Sequence, residues 1–423
     1  MDSSKEVIVY FPNWYLKRDP QRRGARLSQL PWDQVSFVNH AFWYVAPDDG
    51  TTETSFQRRA AGLPPREKFQ LTSLTPEADL GGLSESHFDQ YAIFHRRYPQ
   101  VTILLSIGGW TSCGWFSEMA YTQAGRDSFV RSCMELLKTY PWLGGFDIDW
   151  EYFGGNPQGE RVSGEPDDQG CPIWGTARED SENLALLLKQ LKETMAEVYG
   201  PDAKKLTACA CGSTWTLTMQ DWALVSPYLQ MINIMSYDMA GVWDRKVDHA
   251  SEVFQSEAAA RFIHETYGVP YEKLCIGSPL YGSDMLMEAL PENGDPMGLP
   301  VKPVRPASAG ITEEVLRQWE AEAVSGYEIQ WVDGRPTVGS TFCREGKGWH
   351  MGFDENRRGA YLINDDPASP YDHWFVSYET PITLQDKLDL IERLHCAGML
   401  VWEVTQDTAD YSMIRQMARN LLK

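Results

Sequence analysis

The chain has 423 residues, with 38 Lys and Arg against 59 Asp and Glu, a formal charge of −21 at pH 7. Its field repels phosphate backbones and anionic headgroups, which argues against a nucleic-acid or membrane-surface partner. Hydrophobic residues make up 43% and charged ones 23%, the balance of a soluble globular protein, and no stretch approaches the ~20 uncharged apolar residues of a membrane span.

Residues 1–6 lead straight into the apolar run 7–11, without the basic segment, apolar core and small-residue cleavage site of a secretory signal. From there short Val- and Ile-rich runs alternate with longer amphipathic segments, the pattern of a parallel sheet wrapped by helices. The runs predict strands at 6–11, 35–42, 101–106, 144–150, 205–210, 231–236, 273–278 and 397–402. Eight such strands make a (β/α)8 TIM barrel, a fold that exceeds ~250 residues as one unit although length alone suggests two or three domains. After the fourth strand, Leu184, Leu187, Leu188 and Leu191 recur at helical spacing, with Asp180 or Ser181 as the expected cap.

Two connections are too long for turns, and both follow strands, which puts them at the carboxyl end of the barrel. One spans residues 152–178. The other spans 283–380, enough for a small α+β insertion after the seventh strand, with a helix expected at 312–324 and extended segments at 327–332 and 373–378. The expected division is therefore a catalytic barrel from 1–282 and 381–423, and an insertion subdomain at 283–380 that walls the cleft. The 8 Cys form no CxxC pair. Cys209 and Cys211 share a strand face, and the cysteines read mainly as free thiols, with a disulfide through Cys113 or Cys171 left open.

The segment Gly144-Gly145-Phe146-Asp147-Ile148-Asp149-Trp150-Glu151-Tyr152 carries the chemistry. Alternate side chains on a strand share a face, so Asp147, Asp149 and Glu151 point into the barrel while Ile148 and Trp150 pack outward. A solvated acidic edge is the bland alternative, but three acids on one face repel and bring a structural strand nothing. Carboxylates so close must share a proton, and the outermost, Glu151, is then held as a general acid suited to a glycosidic oxygen.

At these residues the sequence resembles the family 18 glycoside hydrolases, the chitinases, whose signature is Asp-x-x-Asp-x-Asp-x-Glu on the fourth barrel strand. Ser106-Ile107-Gly108-Gly109-Trp110, Met235-Ser236-Tyr237-Asp238, Ala240-Gly241-Val242-Trp243, Gly277-Ser278-Pro279-Leu280-Tyr281-Gly282 and Trp402-Glu403 resemble further family motifs, in order. The segment after the seventh strand is similar to the α+β insertion of the deep-cleft subfamily. The sequence departs from the signature at Gly144, where the first Asp would stand, so another group or water is expected to take that place. It also carries Ser283 where many relatives have Arg.

The resemblance implies that Glu151 protonates the glycosidic oxygen while the substrate's own 2-acetamido oxygen attacks C1. It implies that Asp149 and Tyr237 hold the acetamido group, that Asp149 turns between Asp147 and the substrate, and that Tyr10 and Ser106 bond around Asp147. Asp238 would help bend the sugar, with Met235 below it and Trp402 as the floor of the −1 subsite. Trp110 and Trp243 would stack on sugars, and Tyr152 and Tyr281 would line the site. The implied function is a retaining chitinase acting on β-1,4 bonds between N-acetylglucosamine units.

A chitinase-like lectin would lack Glu151, and an endo-β-N-acetylglucosaminidase would usually lack the insertion. The 8 His show no HExxH or paired spacing, so no metal is expected, and without GxSxG, P-loop or GxGxxG patterns no cofactor is implied. The expected partner is chitin or chito-oligosaccharide. Such a substrate lies outside most cells, so extracellular action is expected, which leaves open a processed form, another export route or a place in a larger secreted assembly.

Overall fold

The computed structural model describes residues 5–18, 24–45, 68–81, 86–155, 173–241, 243–302, 331–332, 335–336, 348–369, 371–408 and 410–422. Eight parallel strands close on themselves: β1 (Glu6–Pro12), β2 (Phe37–Val45), β3 (Thr102–Gly108), β4 (Gly145–Asp149), β5 (Lys205–Cys211), β6 (Met231–Met235), β7 (Leu274–Pro279) and β8 (Gly398–Trp402). The first pairs with β2 on one side and β8 on the other, which completes a (β/α)8 barrel. The predicted strands all occur, displaced by a few residues at their ends. The largest difference is β2, which runs on to Val45 because the short strand Leu71–Ser73 pairs antiparallel with Trp43–Val45 and prolongs its ladder.

Period-two alternation divides each strand between two cores. On β1, Val7, Val9 and Phe11 join the layer between barrel and helices, while Ile8 and Tyr10 face the interior with Leu104, Cys209, Met231, Cys275 and Leu400. The helix Ala177–Tyr199 buries Leu184, Leu187, Leu188 and Leu191 in the outer layer, as their spacing predicts. Its cap, however, is Thr176, which accepts from the Glu179 amide while Glu179 reaches back to the Thr176 amide. Asp180 and Ser181 lie one turn further in and are buried. The Asp180 carboxyl accepts from Ser117 Oγ at 2.5 Å and from the Gly154 amide at 3.2 Å, and burial pushes it up to about 6.

After β7 the chain forms a separate four-stranded antiparallel sheet in the order Trp349–Asp354, Gly359–Asn364, Trp374–Tyr378, Ser283–Leu286. One face buries Trp349, Leu362, Trp374 and Val376; the other packs Met285, Ile363 and Phe375 onto Ala240 and Val247, just beyond β6. Arg357 binds Asp248, and its Nη2 lies 3.2 Å from Glu252 Oε1, which ties the hairpin to the same loop. The helix expected at 312–324 lies outside the described residues, as do 156–172 and 327–330; Trp331–Val332 is a two-residue strand paired with Arg335–Pro336.

Candidate active site

Strand register assembles the site. Ser106 pairs with Asp147 and Asp147 with Thr207, so two hydroxyls flank one carboxylate at the same height. Ser106 Oγ and Tyr10 Oη each donate to Asp147 Oδ2 at 2.8 Å. Thr207 Oγ1 donates to Oδ1 at 2.5 Å, and Asn233 Nδ2 adds a bond at 3.2 Å. Burial raises the Asp147 carboxyl, while hydrogen bonds from Thr207, Ser106, Tyr10 and Cys209 act against that shift. Asp147 Oδ1 thus takes its bonds from Thr207 and Asn233. A Cβ at Gly144 would itself meet Thr102 Cγ2 at 2.6 Å.

Asp149, two residues on, has no such cradle. It is buried, its Oδ1 has no hydrogen-bond partner among the described residues, and its carboxyl is raised well above the usual range by burial, then by the charges of Glu151 and Asp147. Glu151 follows at the rim, half-buried. Burial and then the Asp238 charge push its carboxyl up to about 8, against the effects of a hydrogen bond from the Tyr152 side chain and one from the Trp110 backbone. The row therefore runs from a carboxyl wrapped in donors, through one raised well above the usual range, to a rim carboxyl pushed up to about 8.

Around the row lie aromatic walls. Trp402 stacks on Phe42 with centroids 5.4 Å apart and packs against Tyr10 and Trp14. Tyr237 meets Tyr281 edge-on at 6.3 Å, and Met235 belongs to the same interior cluster. Trp110 stands against Tyr152 at 6.3 Å. Trp243 lies over Gly241, where a Cβ would meet the indole at 2.5 Å. Both indoles are exposed, 41% for Trp110 and 50% for Trp243, while Asp238 is exposed with a left-handed φ of 53°. The peptide bonds Ala41–Phe42, Glu151–Tyr152 and Trp402–Glu403 are cis. Ser283 is buried, and its Oγ donates to the Ala240 carbonyl at 3.1 Å, so this position joins the inserted sheet to the loop after β6.

Sequence reasoning missed Thr207, Asn233 and Phe42, and gave the thiols Cys113 and Cys209 no place in the site. Cys209 lies 3.1 Å from Tyr10 Oη, and Cys113 touches the backbone of Asp149 and Glu151. The alternation Thr207, Cys209, Cys211 was a readable signal, because polar residues spaced by two on a buried strand must face an interior that can bond them. Cys113 forms no disulfide, which overturns the bridge left open there; Cys171 lies outside the described residues.

Among the described residues one cluster has metal-ligand geometry: His40, Asp79 and His87. Asp79 Oδ1 meets His40 and His87 at 2.9 and 3.0 Å, and Oδ2 accepts from Asn13, Trp43 and Ser73. Burial works to raise this carboxyl, but the charge of His40 and the hydrogen bonds of both imidazoles outweigh it and hold it well below the usual range. With every Asp79 oxygen occupied, the cluster is a buried hydrogen-bond hub that joins β2 to the helix His87–Arg97.

The family model for glycosyl hydrolases family 18 matches residues 6–407. Chitinase ChiA of Flavobacterium johnsoniae is 24% identical over 96% of this chain and 27% of its own length. Chitinase A1 of Niallia circulans is 26% identical over 96% of this chain and 57% of its own. The chain thus spans well under two thirds of these curated relatives. The crystal structure of the Group IV chitinase of Ostrinia furnacalis superposes with a TM-score of 0.73 at 20% identity, over 99% of this chain and 100% of that one. Its complex with allosamidin superposes at 0.71.

Proposed function

The chain belongs to glycosyl hydrolase family 18, and from that premise we propose that it is a chitinase that cuts β-1,4 bonds between N-acetylglucosamine units of chitin and chito-oligosaccharides. The observation that carries this reading is the Glu151 carboxyl, pushed up to about 8 at the rim while its neighbouring acids stand behind it on the same strand. Membership of family 18 supports retaining catalysis in which the substrate's own acetamido oxygen, and no second carboxylate, attacks the sugar.

Glu151 gives its proton to the glycosidic oxygen as the acetamido oxygen attacks C1 and the leaving chain departs, which forms an oxazolinium ion. Water then attacks C1, gives its proton to the Glu151 carboxylate and reopens the ring with the β configuration kept. Asp149, whose Oδ1 has no partner among the described residues, accepts the acetamido N–H, and Tyr237 donates to the acetamido oxygen. Asp147, held by Tyr10 and Ser106, shares the proton that Asp149 needs. Trp402 and Met235 form the floor of the −1 subsite, Asp238 favours the bent ring, Tyr152 and Tyr281 line the site, and Trp110 and Trp243 stack on neighbouring sugars. Residues 283–380 act as a subdomain that raises one wall of the cleft.

The partner is the polysaccharide, met outside the cell; a charge of −21 disfavours polyanions. No helix among the described residues is long and apolar enough to cross a membrane. The test is incubation with N-acetylglucosamine hexamer beside Glu151→Gln. Short products with retained β-anomers, absent from the variant, support the reading; tight binding without cleavage by the parent overturns it.

A further inference from the structure

The chain after β3 and the chain after β4 are bound to each other at one side chain, Cys113. Its Sγ lies 3.0 Å from the Asp149 carbonyl and 3.0 Å from the Gly109 carbonyl, and it accepts from the Glu151 amide at 3.1 Å. The thiol thus acts as donor and acceptor at once, within the capacity of an S–H group. It is buried, so water does not compete for these bonds.

The surroundings make the contact rigid. Gly109 N also donates to the Asp149 carbonyl at 2.8 Å, and a Cβ at Gly108 would come within 2.2 Å of that oxygen, so only glycine permits the approach. Phe116, whose amide bonds the Cys113 carbonyl at 3.0 Å, stacks on Trp150 at 5.3 Å. The peptide units on both sides of Trp150 are therefore gripped from the β3 side, and the segment leaving β4 carries its acid on a fixed backbone.

We propose that Cys113 is a positioning residue for the reaction: by bonding the Asp149 carbonyl and the Glu151 amide, its thiol sets where the Glu151 carboxyl meets the glycosidic oxygen. The inference rests on the acid role of Glu151 proposed above. A misplacement of about 1 Å at a reacting group costs on the order of a hundredfold in rate, whereas sugar binding is assigned above to the aromatic side chains, and the three bonds at the Cys113 thiol all go to backbone groups.

The test compares Cys113→Ala and Cys113→Ser with the parent on N-acetylglucosamine hexamer. The Ala variant is expected to lose at least about tenfold in kcat with KM within about twofold, and the Ser variant, which keeps a donor and an acceptor, to recover most of the loss. The basic limb of the pH profile is expected to move to lower pH in the Ala variant, as Glu151 loosens toward solvent. Unchanged kcat in the Ala variant, or equal losses in Ala and Ser, overturns the proposal. Should the Ala variant not fold, Cys113→Thr against Cys113→Val decides, since the pair differs only in the hydroxyl; equal kcat overturns the proposal. If the parent itself does not cleave the hexamer, it is the chitinase reading that fails.

Discussion

The hydroxyl of Tyr10 on β1 lies 2.8 Å from Asp147 Oδ2 on β4, although 137 residues separate them in the chain. Closure of the barrel brings the two together, and the bond favours the ionised form of Asp147 against its burial. Tyr10→Phe removes one donor, so the Asp147–Asp149 pair holds its shared proton more tightly. The acidic limb of kcat/KM is expected to move to higher pH, with kcat down by about tenfold. A pH–rate profile that overlays the parent's sinks this account of the pair.

Glu151→Gln keeps shape and removes the proton. Hexamer hydrolysis is expected to fall by about 10³-fold, within the range for loss of a general acid, with oligosaccharide affinity kept within a few-fold. Single-turnover assays and calorimetry read the two quantities separately; activity within tenfold of the parent removes Glu151 from the mechanism.

The same residue links stability to pH. A carboxyl near 4.5 when unfolded and about 8 when folded gives the folded state the extra proton between those values. Its contribution is fully present below about 4.5 and lost as pH rises through about 8. Relative to the parent, Glu151→Gln should therefore gain stability as pH rises across that window. Urea unfolding at both ends checks the sign, and a constant difference contradicts the raised value.

Trp110 and Trp243 are half-exposed, so alanine at either should leave stability within about 0.5 kcal/mol. If these indoles stack on sugars, each substitution raises KM by about tenfold, equal to about 1.4 kcal/mol. Unchanged KM for the hexamer in both variants excludes them from the cleft.

Behind the site, Lys387 and Glu379 form a fully buried ion pair. Lys387 Nζ also donates at 2.6 Å to Ser251 Oγ, which in turn bonds the carbonyl of Ser236, next to Tyr237. Lys387→Met strands the Glu379 charge and should cost about 3–5 kcal/mol, most of it regained in Lys387→Met with Glu379→Leu. Chemical denaturation measures both; a double variant as unstable as the single one refutes the stranded-charge explanation.

Much of this was legible in the chain. The eight apolar runs foretold the barrel, and residues spaced by two foretold that Asp147, Asp149 and Glu151 share a face, because strand alternation is a local property of the backbone. The helix Ala177–Tyr199 was legible in its leucines but not in its cap, since several polar residues near its start could serve and only packing selected Thr176. Of the partners of Asp147, Tyr10 and Ser106 were named by the resemblance, but Thr207 and Asn233 were not legible, because they meet it only where strand register and closure bring neighbouring strands to one height. Likewise the value of about 8 at Glu151 comes from burial and from Asp238 on another strand's loop. Covalent spacing orders residues along one strand, whereas solvation and charge depend on which strands surround it, and tertiary structure alone decides that.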